Sequence, residues 1–171
     1  GVTSNWQDAP PQAVWISHGA GARVWDVDGN EYVDLHNGFG AMLVGHAHPA
    51  IVRAVSERVA LGTHFAQPTP DLIPVAAELV RRFQLPLWRF GNSGTETTMD
   101  AIHLMRAATG REKFIKVEGS YHGHHDNVQF SVYAEPDEMG PEEHPNSVRT
   151  GPAIPEALAA LVVIVPFGDL G

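Results

Sequence analysis

Cysteine is absent from the chain, which excludes disulfides and thiolate-bound zinc and leaves the redox compartment open. Positive charge is scarce: 11 Lys and Arg stand against 20 Asp and Glu, a formal net charge of -9. No basic stripe offsets that balance, so nucleic acid is not an expected partner. Lysine is confined to Lys113 and Lys116. No apolar run approaches the roughly 20 residues that a helix needs to cross a bilayer. The opening Gly1-Val2-Thr3-Ser4-Asn5-Trp6 lacks the basic and apolar regions of a signal peptide. Internal repeats are missing as well. The expectation is a soluble cytoplasmic protein that binds neither membrane nor nucleic acid.

What is present is an ordinary globular composition, 43% hydrophobic and 18% charged over 171 residues, enough for one domain with a core. Val24 to Leu35 predicts a β-hairpin, with Asp28-Gly29 as its turn. His36-Asn37-Gly38-Phe39-Gly40 is a glycine-rich loop. Pro49 opens an amphipathic helix through Ile51, Val52, Val55, Val59 and Leu61. Thr69-Pro70-Asp71 opens another, which runs to Phe83 and is ended by Pro86. Leu87-Trp88-Arg89-Phe90 predicts a short strand, Thr97 to Ala108 a helix with Gly110 as its C-cap, and Lys113 to Val117 a strand. Ala134 to Pro155 predicts a long surface loop, a type that is usually functional or mobile. Leu161 to Pro166 predicts an apolar strand buried on both faces. The order implies an α/β sheet with right-handed crossovers.

Two segments carry chemistry. Asn92-Ser93-Gly94-Thr95-Glu96 lies where a strand meets a helix start, with its unpaired N–H groups and partial positive charge. Gly94 permits close approach of the backbone, and Ser93 and Thr95 add hydroxyls, so the turn suits a phosphate. The competing explanation is a helix cap, because Ser93 with Glu96 three residues on is a capping box. The turn is neither a Walker A loop nor a dinucleotide-binding G-x-G-x-x-G. His122-Gly123-His124-His125-Asp126 is the second segment. Its density of ligating types admits a metal site, close to the H-x-H-x-D-H pattern of metal-dependent hydrolases. The final His is replaced by Asn127, and the alternative is a polar loop with incidental histidines. Tyr121 is placed either to lie against a heteroaromatic ring or to sit at a core edge.

Taken in order, Asn92-Ser93-Gly94-Thr95-Glu96, Arg106, Thr109-Gly110-Arg111, Phe114-Ile115-Lys116 and Tyr121-His122-Gly123 form one block. Trp25-Asp26-Val27-Asp28-Gly29-Asn30-Glu31-Tyr32-Val33-Asp34 and Gly45-His46-Ala47-His48-Pro49 precede it. The series resembles the class III aminotransferases, nearest their glutamate-1-semialdehyde aminomutase branch. The resemblance covers about residues 1 to 130 and resumes at Val165-Pro166-Phe167-Gly168-Asp169-Leu170.

That resemblance implies a type I pyridoxal-phosphate-dependent transferase fold, incomplete here. Residues 1–45 would be the N-terminal segment of the small domain and 46–171 the N-terminal part of the large, cofactor-binding domain. The cofactor would be pyridoxal 5'-phosphate. Ser93, Gly94 and Thr95 would hold its phosphate, Tyr121 would stack on its ring, and His122 would line the same side. Phe39 stands where the family often has a substrate-facing aromatic; otherwise it is a loop residue tucked into the core. No metal is implied, and His124, His125 and Asp126 only extend the loop. The reaction would move an amino group between an amino acid or amine and a keto acid, in a homodimer with its active site at the subunit interface. The Schiff-base lysine and the acid that pairs with the ring nitrogen would lie beyond these residues. Lys113 and Lys116 match neither position and are expected as surface charges at a strand edge, so no catalytic residue is assigned.

The family's chains are more than twice this length, so the 171 residues are expected to need further structure or a partner. Gln7 falls where the aminomutases carry a carboxylate-binding arginine, and Phe39 replaces their tryptophan. Both favour an intermolecular transaminase over an aminomutase. The remaining alternatives are a non-catalytic phosphate-binding remnant and the metal hydrolase.

Overall fold

Four acceptor bonds on one carboxylate organise the N-terminal hairpin in the computed structural model, which describes residues 7–8 and 13–168. Asp26 ends β2 (Arg23–Asp26) and is buried. It accepts from the N–H of Asp28 at 3.0 Å, the N–H and side-chain amide of Asn30 at 2.8 and 2.9 Å, and the Tyr32 hydroxyl at 2.8 Å. Those bonds, the Asn30 side chain's first, hold its carboxyl below the usual range. They also fix the turn that leads into β3 (Glu31–Val33). The expected hairpin is therefore present, with Arg23 opposite Val33 and Trp25 opposite Glu31. A strand not expected, β1 (Ile16–Ala20), adds to its other edge in an antiparallel sheet of order β1-β2-β3.

The chain forms two compact units, residues 1–74 and 75–171. In the first, the sheet is followed by α1 (Asn37–Gly40), a single turn in which Gly38 and Phe39 adopt left-handed backbone angles. α2 (Pro49–Val59) starts on its proline, as expected. Its apolar residues Ile51, Val52, Val55 and Val59 are all exposed. α3 (Leu72–Phe83) begins in the first unit and continues into the second.

In the second unit, α4 (Gly94–Thr109) ends on Gly110 in the left-handed conformation (φ 66), where a glycine carries no Cβ penalty. β4 (Phe114–Val117) and β5 (Val162–Val165) pair in parallel, Phe114 opposite Val162 and Lys116 opposite Ile164. The core lies on that face: Phe130, Val162 and Ile164 are buried, with Phe114, Ile154, Leu158 and Ala159 packed on them. Between the strands, 134–155 holds no helix or strand. Its return is pinned to buried Ser131, whose N–H donates to Val148 O at 2.6 Å and whose hydroxyl donates to Asn146 O at 2.8 Å.

Three expectations are corrected. Leu87–Phe90 is not a strand, because no neighbouring strand among the described residues supplies its ladder bonds. β5 is buried on one face only: Val163 is exposed and stands opposite Ile115, also exposed. Lys116 is no surface charge. It points to the core side of β4 with 2% exposure, and its ammonium donates to Val117 O at 3.2 Å and Ser131 O at 3.4 Å.

Candidate functional site

The turn before α4 is a helix cap that leaves donors uncommitted. Ser93 is extended (φ -149, ψ 161), and its Oγ accepts the Glu96 N–H at 3.2 Å. The Glu96 carboxylate reaches back one residue further than a capping box requires and accepts the Asn92 N–H at 2.6 Å. Among the described residues, the N–H groups of Gly94 and Thr95 therefore donate to nothing. Ser93 Oγ accepts its cap bond, and Thr95 Oγ1 accepts one bond from His124. Neither hydroxyl's own hydrogen is committed. A Cβ built on Gly94 would meet nothing within 4 Å, so the turn is open to approach. Two free amides, two free hydroxyl hydrogens and a helix N-terminus of 16 residues suit a phosphate-like dianion.

The loop after β4 is fastened to this helix start. His124 N–H donates to Thr95 Oγ1 at 3.0 Å, and Thr98 Oγ1 lies 2.6 Å from His122 O and 3.3 Å from His125 Nε2. Gly123 makes the approach feasible. Its φ is +111, and a Cβ there would fall 2.7 Å from Thr95 Cα. The buried Gln129 side chain donates to Gly123 O at 2.7 Å from below. The unit thus brings Ser93, Gly94 and Thr95 together with the loop that carries Tyr121 and His122. Tyr121 is 57% exposed, with its ring available as a stacking surface. Thr98 and Gln129 were not singled out from the sequence. Thr98's signal was its spacing, one helical turn beyond Gly94 and Thr95 on the same face.

The electrostatics favour neutral imidazoles beside the turn. Partial desolvation, then the Lys116 charge, holds the His122 pKa below the usual histidine value. Desolvation and the His103 charge lower His125 as well, against Asp126. Burial lowers Lys116 from its ordinary value, and Glu118 partly restores it. Among the described residues, no three of His, Asp and Glu are placed to hold a metal ion. Instead, His122, His124 and His125 all bond to threonines of α4, through two backbone groups and one ring. Arg106 secures the far end of α4. Its Nε donates to Glu112 O at 2.8 Å, its Nη1 to Asn127 Oδ1 at 3.3 Å, and its guanidinium lies over the Phe114 ring.

Phe39 belongs to the first unit. Its ring is 75% exposed and stands edge-on to His36 at 4.2 Å. Lys113 is exposed ahead of β4. Of the N-terminal run, Gln7 is described and exposed, while residues 1–6 lie outside the described residues, as do Asp169 and Leu170.

A family model described as aminotransferase class-III matches residues 3–154. A glutamate-1-semialdehyde 2,1-aminomutase of Sulfurihydrogenibium azorense is 39% identical over 158 residues, 92% of this chain and 35% of that protein. The crystal structure of an omega-transaminase from Sphaerobacter thermophilus superimposes with a TM-score of 0.91 at 36% identity, over 98% of this chain and 38% of that one. A solved transaminase with PLP bound does so with a TM-score of 0.84, also at 36% identity, over 98% of this chain and 38% of that one. The chain spans little more than a third of the length of these relatives.

Proposed function

The chain belongs to the class-III aminotransferase family, and from that premise we propose that it is the part of a pyridoxal 5'-phosphate enzyme that seats the cofactor's phosphate and covers one face of its ring. The observation that carries this reading is the set of uncommitted donors at the turn: the Gly94 and Thr95 amides and the Ser93 and Thr95 hydroxyl hydrogens. They suit a phosphate ester, and the open space over Gly94 leaves room for it. Bound there, the cofactor supplies an electron sink for the charge left on the substrate carbon when a bond to it breaks.

This chain's own residues bind and orient. Ser93, Gly94 and Thr95 hold the phosphate, Tyr121 presents its exposed ring to the cofactor ring, and His122, kept neutral, lines the same side. Lys116 commits its ammonium to two carbonyls and is not offered to the turn, and Lys113 lies exposed ahead of β4. The lysine that carries the cofactor and moves the substrate proton comes from outside these residues, as does the acid for the ring nitrogen. Residues 1–45 belong to the small domain and 46–171 to the large one. Phe39 faces the substrate, and the enzyme works as a homodimer with its site at the subunit interface.

The reaction is amino-group transfer between an amino acid or amine and a keto acid. Gln7 supports this over an isomerase, since an amide cannot form a bidentate charged pair with a substrate carboxylate. The aminomutase relative supports a second reading, isomerisation of glutamate-1-semialdehyde. Both are tested on the protein that carries this chain, loaded with cofactor and given amino donors with and without a keto acid. Transamination predicts turnover only when the keto acid is added. Isomerisation of glutamate-1-semialdehyde without it would establish the second reading, and failure to bind pyridoxal 5'-phosphate would overturn both.

A further inference from the structure

The geometry points to Thr98 as a positioning residue that holds the Tyr121–His122 loop in register with the Ser93–Thr95 turn; this rests on the cofactor reading above. A threonine inside a helix ordinarily bonds back to the carbonyl one turn earlier. Thr98 Oγ1 has that option, with Gly94 O at 2.8 Å and Thr95 O at 3.1 Å. Its shortest contact is nevertheless across the chain, to His122 O at 2.6 Å. A hydroxyl has one hydrogen to donate and lone pairs to accept with. Donation to His122 O leaves the oxygen free to accept from His125 Nε2 at 3.3 Å. Among the described residues no other donor reaches His122 O. One side chain therefore fixes the backbone of the residue that follows Tyr121 and the ring three positions on.

The neighbouring contacts act in the same direction without replacing it. Thr95 Oγ1 receives the His124 N–H, and Gln129 holds the Gly123 carbonyl. Among the described residues, only Thr98 holds the carbonyl of His122, the residue after Tyr121. Thr98 is half-buried, and valine in its place keeps nearly the same shape while leaving His122 O unpaired.

The test compares Thr98→Val and Thr98→Ser with the unaltered protein. Two readouts are taken: hydrogen exchange of the 121–125 amides in the cofactor-free state, and affinity for pyridoxal 5'-phosphate. The valine variant is expected to exchange faster across 121–125, while the α4 amides stay protected. It should bind the cofactor about five- to tenfold more weakly, the worth of one hydrogen bond, with a shifted absorbance band. Serine, which keeps the hydroxyl, should restore both. Unchanged exchange and affinity in Thr98→Val, or no rescue by serine, would overturn the assignment. Altered exchange in Thr98→Val with no cofactor binding by any of the three proteins would overturn the cofactor reading, and with it Thr98's role toward the cofactor.

Discussion

Lys116 shows how a single residue departs from its sequence context. Three residues beyond the exposed Lys113 it looks like more strand-edge charge, yet strand alternation turns it onto the core face at 2% exposure. Its pKa is lowered by burial. Below the folded value both folded and unfolded chains bind the proton, and the cost of burying the charge is fully present. Between the folded and unfolded values only the unfolded chain binds it, so stability rises with pH there. Lys116→Met should remove that alkaline rise and raise the unfolding free energy at neutral pH by on the order of 1 kcal/mol. The carbonyls it leaves keep other donors, Ser120 N–H on Val117 O and Gly119 N–H on Ser131 O. Denaturant unfolding at neutral and alkaline pH measures both effects. His122 and His125 act at the other end of the scale. With folded pKa values lowered, they take up protons first in the unfolded chain, so stability should fall as pH drops below about 6.5. Gly123→Ala should cost about 1–3 kcal/mol, since it combines a left-handed φ with a 2.7 Å approach to Thr95 Cα. Wild-type stability in that variant would show that the loop has another way to meet the helix.

At the scale of elements, helices were legible where backbone chemistry punctuates them. Pro49 starts α2 and Gly110 ends α4, local signals that tertiary context does not override, whereas α4 begins at Gly94, three residues before the expected Thr97, because Ser93 caps it there. The hairpin was legible from Asp28-Gly29 and its alternation. Leu87–Phe90 was not, because a strand exists only with a partner to bond to, and composition says nothing about partners. β1 was missed for the converse reason: Ser17, His18 and Gly19 carry little strand preference, and pairing with β2 makes the strand. The Ser93–Thr95 turn and the 121–125 loop each carried a signal in the sequence, but their fastening to each other did not, since the Thr98–His122 bond joins positions 24 apart. Two substitutions weigh these elements. Ser93→Ala removes the cap of α4 and should cost about 0.5–2 kcal/mol. Phe130→Ala empties the centre of the β4–β5 core and should cost about 3–5 kcal/mol. Thermal or denaturant unfolding checks the order; equal losses would contradict the core's placement.

Across the whole molecule, apolar surface is left uncovered on both units. Ile115 and Val163 line the outer face of the β4–β5 pair, 70% and 41% exposed, and the apolar face of α2 is about half exposed. Uncovered strands and apolar faces of this kind drive association. The 171 residues made alone should therefore self-associate and bind a hydrophobic dye, as sedimentation and dye fluorescence would report. A monomer with a cooperative unfolding transition would contradict this. The role of the Ser93–Gly94–Thr95 turn is tested most directly by comparing pyridoxal 5'-phosphate with phosphate-free pyridoxal as ligands. Both are titrated against the protein that carries this chain and its Ser93→Ala/Thr95→Val variant. Loss of two hydroxyl donors to a dianion should weaken binding of the phosphorylated ligand by about tenfold or more and leave that of pyridoxal nearly unchanged. An equal effect on both ligands, or none on either, would show that the phosphate is held elsewhere.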